Sequence, residues 1–228
     1  MTTCVIMFAK EPVPGSVKTR LHIHLSPTEA AQLYSAFVVD TADTLAQTSA
    51  QRKIVAYTPA SGLEPIRHLL GPLSAEFEYL PQADADLGGR MGELFKKCFD
   101  EGAERVVVVG SDSPSLPGSI VDEALSLLQR HPLVLGPSVD GGYYLLGQRS
   151  SNERLFKDVD WSTGRVLEQT LDKVPGESIG LLPPWYDVDS PAEAAFLKVH
   201  LRAIKQAGGC QGERSLMALN QLRLPAPS

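Results

Sequence analysis

Cysteine is scarce in this chain. Cys4, Cys98 and Cys210 are three in number and far apart in 228 residues, which excludes a disulfide framework and offers no zinc-binding spacing. Cys4 falls within an apolar run and reads as a small core residue. Long hydrophobic runs are missing too, since no stretch approaches the roughly 18 apolar residues that a membrane-spanning helix requires. Residues 1–9 carry no basic segment ahead of an apolar one and pass directly into a strand pattern, so they do not read as a signal peptide, and the expected location is the cytoplasm. Excess positive charge is absent as well. A formal net charge of −6 argues against sequence-independent nucleic-acid binding, while a local basic pocket for small phosphates stays compatible with it. Nothing marks a linker, and the length suffices for one large α/β domain or two small ones.

What is present is an alternation of strands and helices. Residues 3–9 read as a buried strand, followed by a loop rich in Pro and Gly as far as Leu25. Ser26-Pro27-Thr28-Glu29 then supplies an N-cap, a proline at the first helical position and a glutamate to close a capping box, and Ala30, Leu33, Tyr34, Phe37, Val38, Thr41 and Leu45 form a helical stripe. Strands are expected over 52–58, 77–80, 105–110, 133–136 and 142–147, and helices over 63–70, 91–102, 118–129 and, after a second capping box at Ser190-Pro191-Ala192-Glu193, to Ala207. Residues 81–89 read as a loop. The pattern predicts a three-layer α/β fold around a mostly parallel sheet. The expected organisation is one domain over 1–207 and a tail over 208–228 with a short helix near 216–222.

Residues 106–114, Val-Val-Val-Val-Gly-Ser-Asp-Ser-Pro, are the most informative segment. A β-branched run without polar alternation is a strand buried on both faces, and it ends at a small-residue turn bearing one carboxylate, Asp112. A hard ion such as Mg²⁺ takes one or two protein carboxylates and completes its shell with phosphate oxygens and water; the plainer alternative is an Asx-turn capping the loop. The loop from Lys10 to Leu21 leaves the first strand where α/β sheets place phosphate sites. Gly15 frees its backbone, and Lys10, Lys18 and Arg20 suit phosphate oxygens, although as solvated loop residues they would form only weak surface pairs. The loop is neither a Walker loop nor a dinucleotide turn. In Asp187-Val188-Asp189, alternation sends both carboxylates to one side, where they favour the positive end of the following helix or hold a metal. Asp140-Gly141-Gly142-Tyr143 is a good turn, or a strand end that brings its backbone close to a ligand with Asp140 as base or hydroxyl acceptor. Trp161 either lines the same cleft or belongs to the core. His22 and His24 have no third ligand at metal spacing.

Together, Phe8-Ala9-Lys10, Pro14-Gly15, Lys18-Thr19-Arg20-Leu21, Gln82, Asp86-Leu87-Gly88, Arg90-Met91, Gly110-Ser111-Asp112-Ser113-Pro114, Gly136-Pro137, Asp140-Gly141-Gly142-Tyr143-Tyr144, Trp161-Ser162-Thr163 and Asp187-Val188-Asp189 resemble the bacterial DUF2064 proteins across nearly the whole chain. That family belongs to the GT-A nucleotide-diphospho-sugar transferases, and members are commonly labelled arsenosugar-biosynthesis-type glycosyltransferases. The resemblance implies a Rossmann-like GT-A fold with Asp112 in the place of the metal-binding aspartate of a D-x-D motif. Gly110 replaces the first acid of that motif, and a partner from Asp187 or Asp189 would compensate. It also implies nucleotide and phosphate binding by Lys10, Gly15, Lys18, Arg20, Gln82, Gly88 and Arg90, with Gln82 and Gly88 in the loop that meets the base, Asp140 and Asp112 as catalytic groups, and Gly141, Gly142, Tyr143 and Trp161 around the substrate. The expected function is a glycosyltransferase dependent on Mg²⁺ or Mn²⁺, with a nucleotide-sugar donor and a small-molecule acceptor. Lys18-Thr19-Arg20-Leu21 also resembles the triphosphate-gripping loop of guanylyltransferases acting on phospholactate or molybdenum cofactor, so nucleotidyl transfer from a nucleoside triphosphate is the alternative, with glycosyl transfer preferred for the whole-chain resemblance. A non-catalytic nucleotide-binding regulator is a third.

Overall fold

Strand β1 (Thr3–Lys10) is apolar without alternation because both of its faces are covered. Val5, Met7 and Ala9 enter one hydrophobic core and Cys4 and Ile6 the other, as the two-residue side-chain period requires. Strands β2 (Arg52–Thr58) and β4 (Arg105–Gly110) follow the same logic, with Val107 and Val109 on one side of β4 and Val106 and Val108 on the other, while β3 (Glu78–Pro81) is a short, partly exposed edge strand. With β5 (Leu133–Pro137), β6 (Tyr143–Gln148) and β7 (Ile179–Leu181) they form a seven-stranded sheet of order β3-β2-β1-β4-β6-β5-β7. All neighbours pair in parallel except β6, which runs antiparallel to both β4 and β5. This computed structural model describes residues 2–225.

The helices cover both faces. On the larger core lie α1 (Pro27–Ala46), α2 (Leu63–Leu70), α4 (Gly118–Leu127), α6 (Pro191–Gln206) and α7 (Glu213–Gln221). The opposite face is covered mainly by α3 (Leu87–Asp100), whose Met91, Leu94, Phe95 and Cys98 pack on the even positions of β1. A short helix, α5 (Val166–Leu171), follows β6. Both expected capping boxes form: the Ser26 amide donates to Glu29 at 2.8 Å and the Ser190 amide to Glu193 at 2.6 Å. No helix of the described residues is long and apolar enough to cross a membrane.

Two features depart from the sequence expectation. Helix α3 starts at Leu87, so Leu87, Gly88 and Gly89 are helical; the loop ends at Asp86, whose carboxylate accepts from the Gly89 amide at 2.8 Å and caps the helix. Helix α5 and strand β7 were not anticipated, because each is short and β7 has a glycine at its centre. A Cβ on Gly180 would stand 2.9 Å from Val134, so the glycine lets this edge strand close on β5. Helix α7 lies within the expected tail and is tied to α1. The carboxylate of buried Asp40 accepts from the Ser215 amide at 2.7 Å, the Ser215 hydroxyl at 2.6 Å and the Arg214 amide at 3.2 Å. The end of that tail, 226–228, lies outside the described residues.

Candidate functional site

The C-terminal ends of β1 and β4 are neighbours, and the loops leaving them carry the charges. After β1 the chain turns at Gly15 (φ +84°), and Val17 and Leu21 anchor the loop in the core. Between them Lys18 adopts the left-handed conformation (φ 48°, ψ 41°) and caps a 3₁₀ turn over Thr19–Ile23. That backbone costs a non-glycine residue about 1–3 kcal/mol and is found where the surroundings demand it. Here they do: the Lys18 side chain is 4% exposed, its ammonium lies 5.7 and 5.8 Å from the ring centres of Tyr34 and Phe37, and it contacts the carboxylates of both Asp112 and Asp189. Its bond to Asp189 measures 2.8 Å, and Arg20 reaches the other oxygen of Asp189 at 3.4 Å. Burial alone would depress the ammonium's pKa, but the two carboxylates more than offset it and hold the pKa above the usual lysine value.

The Asp112 turn is tied to the rest of the site by backbone and hydroxyls. The Val188 amide donates to the Asp112 carbonyl at 3.0 Å and the Ser113 hydroxyl to the Tyr186 carbonyl at 2.9 Å, which fixes the Asp187–Asp189 segment beside the turn. Ser111 bonds the Tyr34 hydroxyl at 2.8 Å, and that hydroxyl also accepts from the Lys10 amide at 3.0 Å. Tyr34 therefore links the two loops from inside the core, and burial, with Asp112 nearby, pushes its phenol up to about 12. The helical stripe places Tyr34 in the core without indicating this role. The available signal is that a buried tyrosine needs a partner for its hydroxyl.

On the far side, Asp140 closes its turn by accepting from the Gly142 amide at 2.9 Å, as the plainer expectation has it, while its exposed side chain still faces the cleft. Gly141 (φ +88°) is required there: a Cβ would stand 2.2 Å from the Gly164 carbonyl, and the Leu167 amide bonds the Gly141 carbonyl at 2.9 Å. This contact brings Trp161 to the cleft. The indole lies over Gly88, where a Cβ would approach within 2.7 Å, and its Nε1 has no hydrogen-bond partner among the described residues. Asp187 accepts from the Ser138 hydroxyl at 3.0 Å, and burial, followed by the charges of Asp140 and Asp189, raises its pKa.

These elements enclose a cleft of about 780 Å³, within the range of small-molecule and cofactor sites. Of the residues expected at the site, Lys10, Arg20, Gln82, Arg90, Asp112, Asp140, Gly142, Tyr143, Trp161, Asp187 and Asp189 line it. Lys18 lies beneath Asp112 and Asp189, and Gly88 supports Trp161 from the first turn of α3 rather than from an open loop. Gly15 and Gly141 do not line the cleft; each takes a positive φ in the turn that carries its loop. The Gln82 amide group donates to the Ala56 and Ala9 carbonyls at 2.7 and 3.3 Å, and Arg90 donates to the Ala85 carbonyl at 2.7 Å. Lys10 donates to the Ser16 carbonyl at 2.7 Å and so braces its own loop. Among the described residues, no group of three or more His, Cys, Asp or Glu is arranged to hold a metal by itself. Asp112 and Asp189 nevertheless converge on one cation, the Lys18 ammonium, so as a donor pair they fit a hard divalent ion that completes its shell with ligand oxygens.

Residues 41–163 match the family described as "uncharacterized protein conserved in bacteria (DUF2064)". No curated protein matches the sequence. Among solved structures, a protein of Desulfovibrio desulfuricans G20, provisionally named a nucleotide-diphospho-sugar transferase, is 35% identical with a TM-score of 0.86, covering 97% of this chain and 95% of its own. The 4-diphosphocytidyl-2C-methyl-D-erythritol synthase of Anaerococcus prevotii DSM 20548 shares the fold at 11% identity and a TM-score of 0.59, over 88% of this chain and 96% of its own. A cytidylyltransferase of Leptospira borgpetersenii does so at 14% and 0.53, over 97% and 93%. A family match over more than half of the chain and a 35% identical relative along nearly all of it place the protein in the DUF2064 family, on a nucleotide-diphospho-sugar transferase fold.

Proposed function

We propose that the protein is a metal-dependent glycosyltransferase that moves a sugar from a nucleoside diphosphate to a hydroxyl of a small-molecule acceptor. The observation that carries this reading is the meeting of Lys18 and Arg20 with Asp112 and Asp189 at the ends of β1 and β4. The identity to the Desulfovibrio desulfuricans protein supports the donor class. Asp112 and Asp189 would hold Mg²⁺ or Mn²⁺, which when bound neutralises charge on the donor phosphates. Lys18 and Arg20 stabilise the remaining charge as the nucleoside diphosphate departs, Lys18 as a point charge and Arg20 as a planar fork. Asp140, with one oxygen committed to the Gly142 amide, orients the acceptor hydroxyl or takes its proton through the other. Gln82, Gly88 and Arg90 form the end of the cleft assigned to the base, and Tyr143 and Trp161, with the turn at Gly141 and Gly142, form the end assigned to the substrate.

Product identity tests the reading. With the right nucleotide-sugar and Mn²⁺, mass spectrometry should find nucleoside diphosphate and no pyrophosphate. Pyrophosphate from a nucleoside triphosphate, with every nucleotide-sugar intact, would overturn the proposal in favour of nucleotidyl transfer, and turnover of neither donor would favour a binding regulator. Arg20 gives a second check. A hydrogen bond to a charged group contributes about 1.5–3 kcal/mol, so Arg20→Ala should weaken nucleotide binding roughly tenfold to a hundredfold by calorimetry. Its side chain is 70% exposed and its loss opens no cavity, so an unchanged affinity would remove Arg20 from the site.

A further inference from the structure

We propose that Lys18 is a resident counter-cation that keeps divalent metal off Asp112 and Asp189 in the nucleotide-free protein and yields to it only when nucleotide phosphates draw the ammonium away. The inference rests on the reading of these two aspartates as the metal pair. The burial of the three side chains is unequal: Lys18 is 4% exposed, whereas Asp112 and Asp189 are 42% and 38% exposed. The carboxylates are therefore reachable from the cleft while the cation reaches them from beneath, and one ammonium occupies an oxygen of each. A divalent ion on the same pair would lie against a positive charge that is backed by the Tyr34 and Phe37 rings and held by a left-handed backbone. Donor phosphates change this balance. They accept charge-assisted hydrogen bonds from Arg20, which lines the cleft beside Asp189, and from Lys18 once its ammonium, on a flexible stem, rises from beneath the carboxylates, and both aspartates are then released to a metal. Metal and nucleotide thus bind as a pair, neither strongly without the other.

Mn²⁺ binding read by electron paramagnetic resonance and water-proton relaxation tests this without recourse to activity. In the nucleotide-free protein, Lys18→Met, which keeps the length and removes the charge, should bind Mn²⁺ about tenfold more tightly than the wild type, because a site available for only a fraction of the time loses affinity by that fraction. Lys18→Arg, which keeps the charge, should bind as weakly as the wild type. Inorganic pyrophosphate, used as a diphosphate probe, should raise Mn²⁺ binding in the wild type far more than in Lys18→Met. Equal Mn²⁺ affinity in wild type and Lys18→Met without pyrophosphate would overturn the role of Lys18 and leave the metal pair standing. If no form binds Mn²⁺, with or without pyrophosphate, the metal reading fails and this inference with it.

Discussion

Replacing Asp112 by Asn is expected to lower turnover by about a hundredfold to a thousandfold, the usual consequence of removing one preorganised electrostatic group from a reacting centre. The fold should survive the change. The Asp112 contact that fixes the 187–189 segment is made by its carbonyl, which Asn retains, and Lys18 keeps its 2.8 Å bond to Asp189. Because the Asp112 side chain is 42% exposed, solvent screens its pairing with Lys18, and the free variant should melt within a few degrees of the wild type. What should vanish is the extra stabilisation that Mg²⁺ adds to a bound nucleotide, which a thermal-shift series with and without metal measures directly. A variant that keeps the full Mg²⁺-dependent shift would take Asp112 out of the metal pair.

Asp40→Ala should have the largest effect on stability, about 3–5 kcal/mol, as expected when a buried, hydrogen-bonded charge loses its role and its donors are stranded. Asp40 is 3% exposed and accepts from the Ser215 amide and hydroxyl, the Arg214 amide and, at 3.4 Å, the Arg214 guanidinium. Without it the first turn of α7 has buried donors and no acceptor, and Leu216 and Leu219 are pulled from the core that α1 and α6 share. For a chain of this size the loss corresponds to a fall of roughly 6–20 °C in melting temperature. A fall below about 2 °C would mean that α7 is held by its apolar side alone. The site should be spared in the folded fraction, because none of these residues lines the cleft.

The sequence was most legible where one physical requirement dominated. Unbroken apolar runs in β1 and β4 are possible only in strands covered on both faces, and the capping grammar at Ser26 and Ser190 located the starts of α1 and α6. It was least legible where a residue serves a distant partner. Gly88 and Gly89 look like loop residues, yet both are helical behind the Asp86 cap, and position 88 is a glycine because Trp161, far along the chain, needs the space a Cβ would fill. In the site, the residue types were readable and their pairing was not. Lys18 and Asp189 are 171 positions apart, and they meet only because β1 lies beside β4 and the Val188 amide docks on the Asp112 carbonyl. The hydroxyls of Tyr34 and Ser113, which hold those loops in place, give no local pattern of their own.

The reversed direction of β6 determines how far apart the acidic groups stand. In an all-parallel sheet only strand exits face the ligand, but an antiparallel strand turns its entrance to the same edge. The turn bearing Asp140 thereby joins the exits of β1 and β4. The row Val109, Leu145, Gly136 runs straight across β4, β6 and β5, so the offset between the Asp112 turn and the β5–β6 hairpin is counted in strand spacings, one to two of them, or about 5–10 Å. The sheet thus works as a ruler. That interval suits the proposed division of labour, with Asp112 toward the donor phosphates and Asp140 toward the acceptor, and the backbone ladder sets the spacing of the two turns that carry them.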